Sequence, residues 1–368
     1  LNIQELGWND HFDRNFQQYR TAGLIPARVI EEHRDRYSIL DERGESRAEV
    51  SGRFQFTAFG RADYPAVGDW VAASDASFDG ARIIHAVLPR LTTFSRKAVL
   101  AGGTASSGGR TDEQLLATNI DTVFLVSGLD NDFNIRRIER YLAVAWESGS
   151  RPVVLLNKAD ICDDVARYIA VVASSAPSVP ILPVSAATGD GIEQLRQFLS
   201  VGQTVALLGS SGVGKSTIIN RLLGEERQDT GGVRLDDSKG RHTTTRRELI
   251  VLPDGGMVID TPGMRVLKLW GDESGLSRSF QDIEILMTSC RFADCGHNSE
   301  PGCAVREAIE AGKLDAGRLQ NYLKLQKEQE KLELRKNVRD SRRTNRERDK
   351  YYRRVWKEKK MLRKKGLI

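Results

Sequence analysis

The chain has 368 residues, 40% of them hydrophobic and 29% charged, the composition of a soluble globular protein with room for two or three domains of roughly 100 to 200 residues each. It holds no run of about 18 apolar residues, which excludes a membrane-spanning helix, and four cysteines are too few for a disulfide-stapled miniprotein. The formal charge of +5 is unevenly placed: residues 324–368 carry 19 basic and 7 acidic side chains, a net of +12 that leaves −7 on residues 1–323, so a polyanionic partner is expected at the tail.

Residues 1–23 form a lead segment in which Asp, Glu, Arg and Gln mix with scattered aromatics. It lacks the apolar core of a secretory signal, so a cytoplasmic location is expected. From 24 to 92 the chain shows short β-favouring runs: Leu24 to Ile30, Tyr37 to Leu40, Phe54 to Phe59, Asp69 to Ala73 and Arg82 to Leu88. Turn residues such as Asp41 to Gly44 and Gly60 to Pro65 separate them, the pattern of a small closed β-barrel. Spacing leaves an OB-fold and an SH3-like barrel both open. Tyr37, Phe54, Phe56, Phe59 and Trp70 are read mostly as barrel core, with base stacking as the alternative.

Residues 93–111, which contain AGGTASSGGR at 101–110, read as a linker. From 112 to 269 buried strands alternate with helices: DTVFLVSGL, PVVLLNKAD and TVALLGSSG as parallel β, Arg137 to Ser148 and Gly191 to Leu199 as helices. Leu249 to Leu252 and Met257 to Asp260 read as a hairpin around Pro253-Asp254-Gly255-Gly256. Residues 270–323 contain a Cys/His cluster, and 324–368 form a basic, helical tail. Arg339 to Lys350 contains no hydrophobic residue, so much of the tail is solvated or ordered on binding.

Gly209-Ser210-Ser211-Gly212-Val213-Gly214-Lys215-Ser216, followed by Thr217, satisfies G-x-x-x-x-G-K-[ST] and sits between a strand and a helix. Such a loop cradles phosphates on backbone N–H groups, with Lys215 on the β and γ phosphates and the Ser216 hydroxyl on Mg²⁺. Asn157-Lys158-Ala159-Asp160 ends a strand as N-K-x-D and offers a carboxylate to guanine N1 and its exocyclic amine, a donor pair that adenine lacks. Ser185-Ala186 follows another apolar run and would supply a backbone N–H to guanine O6. Asp260-Thr261-Pro262-Gly263 places a carboxylate toward the metal and the Gly263 N–H toward the γ-phosphate; upstream, Thr244 or Thr245 offers a hydroxyl to Mg²⁺. The nucleotides expected to bind are therefore GTP and GDP. The order of these motifs, N-K-x-D before the P-loop, is that of a circularly permuted GTPase domain, which close-lying domain termini tolerate.

Met264 follows D-x-x-G, where a glutamine often orients the attacking water, so intrinsic hydrolysis is expected to be slow. His242 is the candidate catalytic residue; an exposed histidine without a role is its alternative, and Arg246 or Arg247 could act as an arginine in cis. Cys290-x4-Cys295-x-His297-x5-Cys303 supplies three thiolates and an imidazole suited to tetrahedral Zn²⁺, with buried free thiols as the other reading.

A β-barrel, a permuted GTPase domain, a Cys/His element and a basic tail, in that order, resemble the ribosome small-subunit-dependent GTPase family (RsgA, also called YjeQ). The resemblance spans nearly the whole chain. It implies a multidomain α/β protein with an N-terminal OB-fold β-barrel, a circularly permuted P-loop GTPase domain and a C-terminal zinc-binding domain. It further implies one structural Zn²⁺ on Cys290, Cys295, His297 and Cys303, a monomer, activation by the small ribosomal subunit and a role in its late maturation through binding to its RNA. Two functions are carried forward: a Mg²⁺-dependent GTP hydrolase, and an RNA-binding assembly protein for which GTP is a structural switch. Asp160 disfavours an ATP-driven RNA remodeller.

Overall fold

The computed structural model describes residues 2–33, 36–58, 60–74, 81–99, 111–225, 247–260 and 273–332. The lead segment is helical: a 3-10 turn over Ile3–Leu6 precedes α1 (Asp10–Arg20), which Asn9 caps by accepting from the His11 N–H at 3.0 Å. Phe12 and Phe16, one turn apart, are buried, and Trp8 stands edge-on to Trp70 with ring centroids 4.8 Å apart. The lead thus packs on the barrel.

Strands β1 (Ile25–His33), β2 (Arg36–Asp41) and β3 (Gly44–Val50), helix α2 (Gly52–Thr57), and strands β4 (Trp70–Ala73) and β5 (Arg82–Val87) follow. Their order is β1-β2-β3-β5-β4, and β4 pairs back onto β1, so the sheet closes. β3 and β5 run parallel and the other pairs antiparallel, with a helix between the third and fourth strands. This is an OB arrangement and removes the SH3-like alternative. Ala27, Val29, Ile39, Ala48, Val71 and Ile84 fill the interior.

Phe54 to Phe59 is not a strand. The Ser51 hydroxyl accepts from the Phe54 N–H at 3.1 Å and starts α2; Phe54 packs on Tyr64 while Phe56 is 90% exposed, and Phe59 lies outside the described residues. β3 escapes sequence reading because GESRAEV has no apolar run, one of its faces being solvated. The segment read as a linker begins as β6 (Thr93–Val99), which pairs antiparallel with β7 (Thr111–Thr118); residues 100–110 lie outside the described residues.

The second half of the large sheet contains β8 (Thr122–Gly128), α3 (Ile135–Ser148), β9 (Arg151–Asn157), α4 (Val165–Ser175), β10 (Ile181–Pro183), β11 (Thr204–Gly209), α5 (Lys215–Leu223), β12 (Glu248–Val251) and β13 (Met257–Asp260). The order is β10-β9-β8-β11-β13-β12, parallel except for β12, which forms the expected hairpin with β13. Gly191 to Leu199 makes a short 3-10 turn, Glu193–Phe198, instead of an α-helix, and still buries Ile192, Leu195 and Leu199. β12 meets β1 at Glu248 and Glu31, so barrel and sheet are continuous. Arg28 on β1 pins this junction: fully buried, it donates to the Leu6 carbonyl, the Asn119 carbonyl at 3.2 Å and the Thr204 hydroxyl at 2.8 Å. Burial pulls its pKa down to about 10 against the pull of Asp121 and Asp69.

Helices α6 (Glu273–Ser279), α7 (Gln281–Thr288) and α8 (Ala304–Glu310) and the helical stretch 316–332 complete the chain, with α6 packed on α3. The expected boundary at 323/324 falls inside that last helix, where Leu325 is wholly buried and Glu328 pairs with Arg140 at 3.0 Å. Among the described residues no helix is long and apolar enough to cross a membrane.

Candidate functional site

Five parallel strands end side by side: β8 at Gly128, β9 at Asn157, β10 at Pro183, β11 at Gly209 and β13 at Asp260. Ligands of open α/β sheets bind outside such carboxyl edges, and the P-loop, the N-K-x-D segment, Ser185-Ala186 and Asp260 lie at or just beyond these ends. Chain order is immaterial here, because the sheet sets the N-K-x-D end of β9 one strand away from β8, which in turn neighbours the P-loop strand β11.

Asn157 is the joint of the site. Its side chain is buried, donating through Nδ2 to the Val213 carbonyl at 2.7 Å and accepting through Oδ1 from the Ala186 N–H at 2.9 Å. One amide therefore ties the P-loop to the Ser185-Ala186 loop. The fit requires glycine at 214: the backbone there has φ +99°, and a Cβ would stand 2.2 Å from Asn157 Nδ2. The Ala186 N–H, assigned from sequence to guanine O6, is engaged by Asn157, so a ligand oxygen would compete for it. Ser185 is buried and accepts from the Thr188 N–H at 3.1 Å; Asp160 is exposed just past the strand end, free to meet a ligand edge.

Lys215 opens α5 and folds back on its own loop, donating to the Gly209 carbonyl at 2.9 Å and to the Ser210 carbonyl. Ser216 and Thr217 follow in the first turn of α5. Asp260 lies at the end of β13, its carboxyl pushed up by burial, with Lys215 pulling down and Glu248 across the hairpin adding to the rise. His242, Thr244, Thr245, Gly263 and Met264 lie outside the described residues.

Motif reading passed over three residues. Asp130, two positions beyond β8, binds Lys158 Nζ at 2.5 Å; Asp132 accepts from the Ser210 hydroxyl of the P-loop and pairs with Arg137 at 2.8 Å. Arg221 on α5 donates to the Ala186 carbonyl at 3.0 Å and to that of Ala187. The available signal was position: a loop leaving the carboxyl end of a parallel strand beside the P-loop strand.

In the C-terminal region Cys290, Cys295, His297 and Cys303 present ligand atoms all within 4.8 Å of one another. Tetrahedral zinc with Zn–S of about 2.3 Å and Zn–N of about 2.0 Å requires S···S edges of about 3.8 Å and S···N edges of about 3.5 Å. The cluster shows 4.0 Å between the sulfurs of Cys290 and Cys303, and 3.7 and 3.5 Å from these to His297 Nδ1. The donor set and its spacing thus fit a metal ion. Burial pushes the Cys295 thiol up to about 11 against the pull of the His297 N–H, the thiols of Cys303 and Cys290 adding to the rise, while the Cys290 thiol is itself shifted down. The ligand loop is built for His297: its backbone is left-handed at φ +60°, and the Glu300 carboxylate accepts from the N–H groups of Gly296, Asn298 and Ser299 at 2.8–3.0 Å.

The RsgA GTPase family model matches residues 88–270. A model described as ABC transporter matches 192–349, a span that contains the P-loop and leaves out Asn157–Asp160. The small ribosomal subunit biogenesis GTPase RsgA of Opitutus terrae is 52% identical over 338 residues, covering 89% of this chain and 90% of that protein. The crystal structure of YjeQ from Thermotoga maritima superposes with a TM-score of 0.60 at 27% identity, over 83% of this chain and 98% of that one. The crystal structure of YloQ, described as a circularly permuted GTPase, gives 0.57 at 22% identity, over 84% of this chain and 96% of that one.

Proposed function

The chain belongs to the RsgA GTPase family, and we propose that it hydrolyses GTP at the carboxyl edge of its parallel sheet in the service of small ribosomal subunit maturation, the process for which its relatives are named. The observation that carries this reading is the Asn157 bridge, which holds a phosphate loop and a base-reading loop in one fixed relation. Gly209 to Thr217 receive the phosphates on backbone N–H groups and Lys215, with Lys215 exchanging its loop carbonyls for phosphate oxygens. Asn157, Lys158, Ala159 and Asp160, with Ser185 and Ala186, form the guanine pocket, Asp160 accepting from the base.

Mg²⁺ fits the polar end of the site, where the Asp260 carboxyl lies within the field of Lys215; Ser216 and Thr244 or Thr245 are its proposed protein ligands. When bound it neutralises charge on the β and γ oxygens. The chain's own part is to orient the phosphates and exclude wandering water. The Met264 side chain has no N–H or O–H with which to position water, so slow intrinsic turnover follows, and His242 is proposed to orient the attacking water when the ribosomal partner is bound.

Zn²⁺, one per chain, is proposed for the Cys3His set. Four protein ligands leave no open position, which makes the role structural. RNA of the small subunit is the proposed polyanionic partner, met by the tail through phosphate contacts; of the described barrel aromatics Tyr37 and Trp70 are buried, whereas Phe56 is exposed and available to stack. A cytoplasmic monomer completes the proposal. The competing reading, an RNA-binding switch with incidental hydrolysis, is favoured by Met264 alone. GTP turnover at fixed salt, with and without purified small subunits and with ATP as control, separates them: large GTP-specific stimulation supports the enzyme, and tight binding without stimulation supports the switch.

A further inference from the structure

We propose that Asp130 is a positioning residue for guanine-nucleotide binding, holding the Lys158 ammonium and thereby presetting the loop Asn157–Asp160. The inference rests on the reading of that loop as the base pocket. Lys158 separates Asn157, which the bridge to Val213 and Ala186 fixes, from Asp160, which must meet the base. Its backbone has φ +66°, a left-handed conformation that a lysine adopts only when neighbouring contacts impose it. The side chain supplies one such contact, with Nζ 2.5 Å from Asp130 Oδ2.

Asp130 is itself anchored. Its Oδ1 accepts from the Asp132 N–H at 3.1 Å and lies so close to the strand end that a Cβ at Gly128 would stand 2.6 Å from it. The Leu129 N–H donates to the Asn157 carbonyl at 2.8 Å, so the loops after β8 and β9 are joined by backbone and by side chain. Burial works against the Asp130 charge, but Lys158 and the Asp132 N–H outweigh it and hold the carboxyl below its ordinary value, keeping the carboxylate ionised at neutral pH. With side chains 30% and 28% exposed, the pair is open to a ligand and still only partly screened by solvent.

Base and ribose are common to GTP and GDP, so a residue that presets this loop serves both nucleotides equally. A residue acting at the phosphate end would separate them. The test uses the full chain with Mg²⁺, measuring affinity for GDP and for a non-hydrolysable GTP analogue by titration calorimetry. Asp130→Asn is expected to weaken both by the same factor, about tenfold. Lys158→Gln should lose at least as much, the double variant should lose no more than the worse single, and the melting temperature of nucleotide-free Asp130→Asn should hold within about 2 °C. Wild-type GDP affinity in Asp130→Asn, loss confined to the triphosphate, or a double variant whose loss is the product of the singles would overturn the proposal. Should Asp130→Asn prove unstable, Lys158→Gln removes the same pair from a partly exposed side chain, and unchanged affinity there overturns it equally. Asp160→Asn with GDP and XDP separates the two levels: no change in base preference sinks the pocket itself, whereas a changed preference beside an unaffected Asp130→Asn sinks only the role of Asp130.

Discussion

Arg318 donates through Nη1 to Glu139 Oε1 at 3.0 Å, joining the last described helix to α3 with both side chains almost wholly buried. The same guanidinium makes two bonds to Asp282, at 2.9 and 2.7 Å, while Asn321 and Arg136 also donate to the Glu139 carboxylate at 2.7 Å each. Burial opposes the Arg318 charge, yet Asp282 and Glu139 together hold its pKa above the ordinary guanidinium value. Near the start of α3, Arg137 pairs with Asp132, the partner of Ser210 in the P-loop. One helix therefore reaches the nucleotide loop through Asp132 and, two residues on, joins the C-terminal helices through Glu139.

Removing Arg318 takes the buried Glu139 carboxylate from two guanidinium partners to one, Arg136. Arg318→Ala is expected to cost about 1.5–3 kcal/mol, seen as a lowered thermal midpoint. Equal midpoints for Arg318→Ala and the wild type would show that the network does not hold the regions together.

Gly214→Ala tests the joint at Asn157. The added methyl meets Asn157 Nδ2 at 2.2 Å in a backbone conformation that alanine avoids, so the P-loop must leave its position. A loss of GTP affinity of about a hundredfold or more is expected in equilibrium binding, with secondary structure by circular dichroism unchanged, because the strained groups lie at a loop and not in the sheet.

The fold was legible wherever one chemical requirement dictated composition. Strands buried on both faces, such as VALLG before the P-loop, read as continuous apolar runs, and the four residues that gather in the Cys3His cluster were visible from their residue types. Hidden were elements whose stability comes from elsewhere in the chain. α1 depends on Trp8 and Phe12 meeting Trp70 and on Phe16 packing against Trp8; β3 carries polar residues on its wet face; and F-Q-F alternation imitated a strand where a Ser51 cap starts a helix. Asp130 and Asp132 carry no motif, since their meaning comes from β8 lying beside β9 and β11.

Stripping the metal is expected to loosen the Cys/His loop and spare nucleotide binding, because the cluster lies on residues separate from the P-loop and guanine-pocket residues. After chelation, hydrogen exchange should rise over residues 290–303 while GDP affinity stays within about twofold of the holo value. Cys303→Ser, altering the most buried ligand, should reproduce this with stoichiometric loss of zinc by elemental analysis.

Asp260 makes a pH-dependent contribution whose sign is fixed. Its carboxyl is raised above 3.8 in the folded protein, so folding favours the protonated form, and the contribution to stability present at low pH is lost as pH rises through the folded value. Nucleotide-free Asp260→Asn should therefore melt above the wild type at neutral pH, the gap closing on acidification, and at the same time lose Mg²⁺-dependent hydrolysis. A gap that widens toward acid would contradict the assignment.

The central claim is that Asp160 reads guanine in a pocket tied by Asn157 to the P-loop, and base preference tests it most directly. Xanthine offers N1–H and a carbonyl oxygen at C2, so an amide at 160 pairs with it where a carboxylate pairs with guanine. Measured affinities for GTP and XTP in the wild type and Asp160→Asn should exchange rank, GTP weakening by about a hundredfold and XTP gaining in the variant. The same rank order in both proteins would contradict the account.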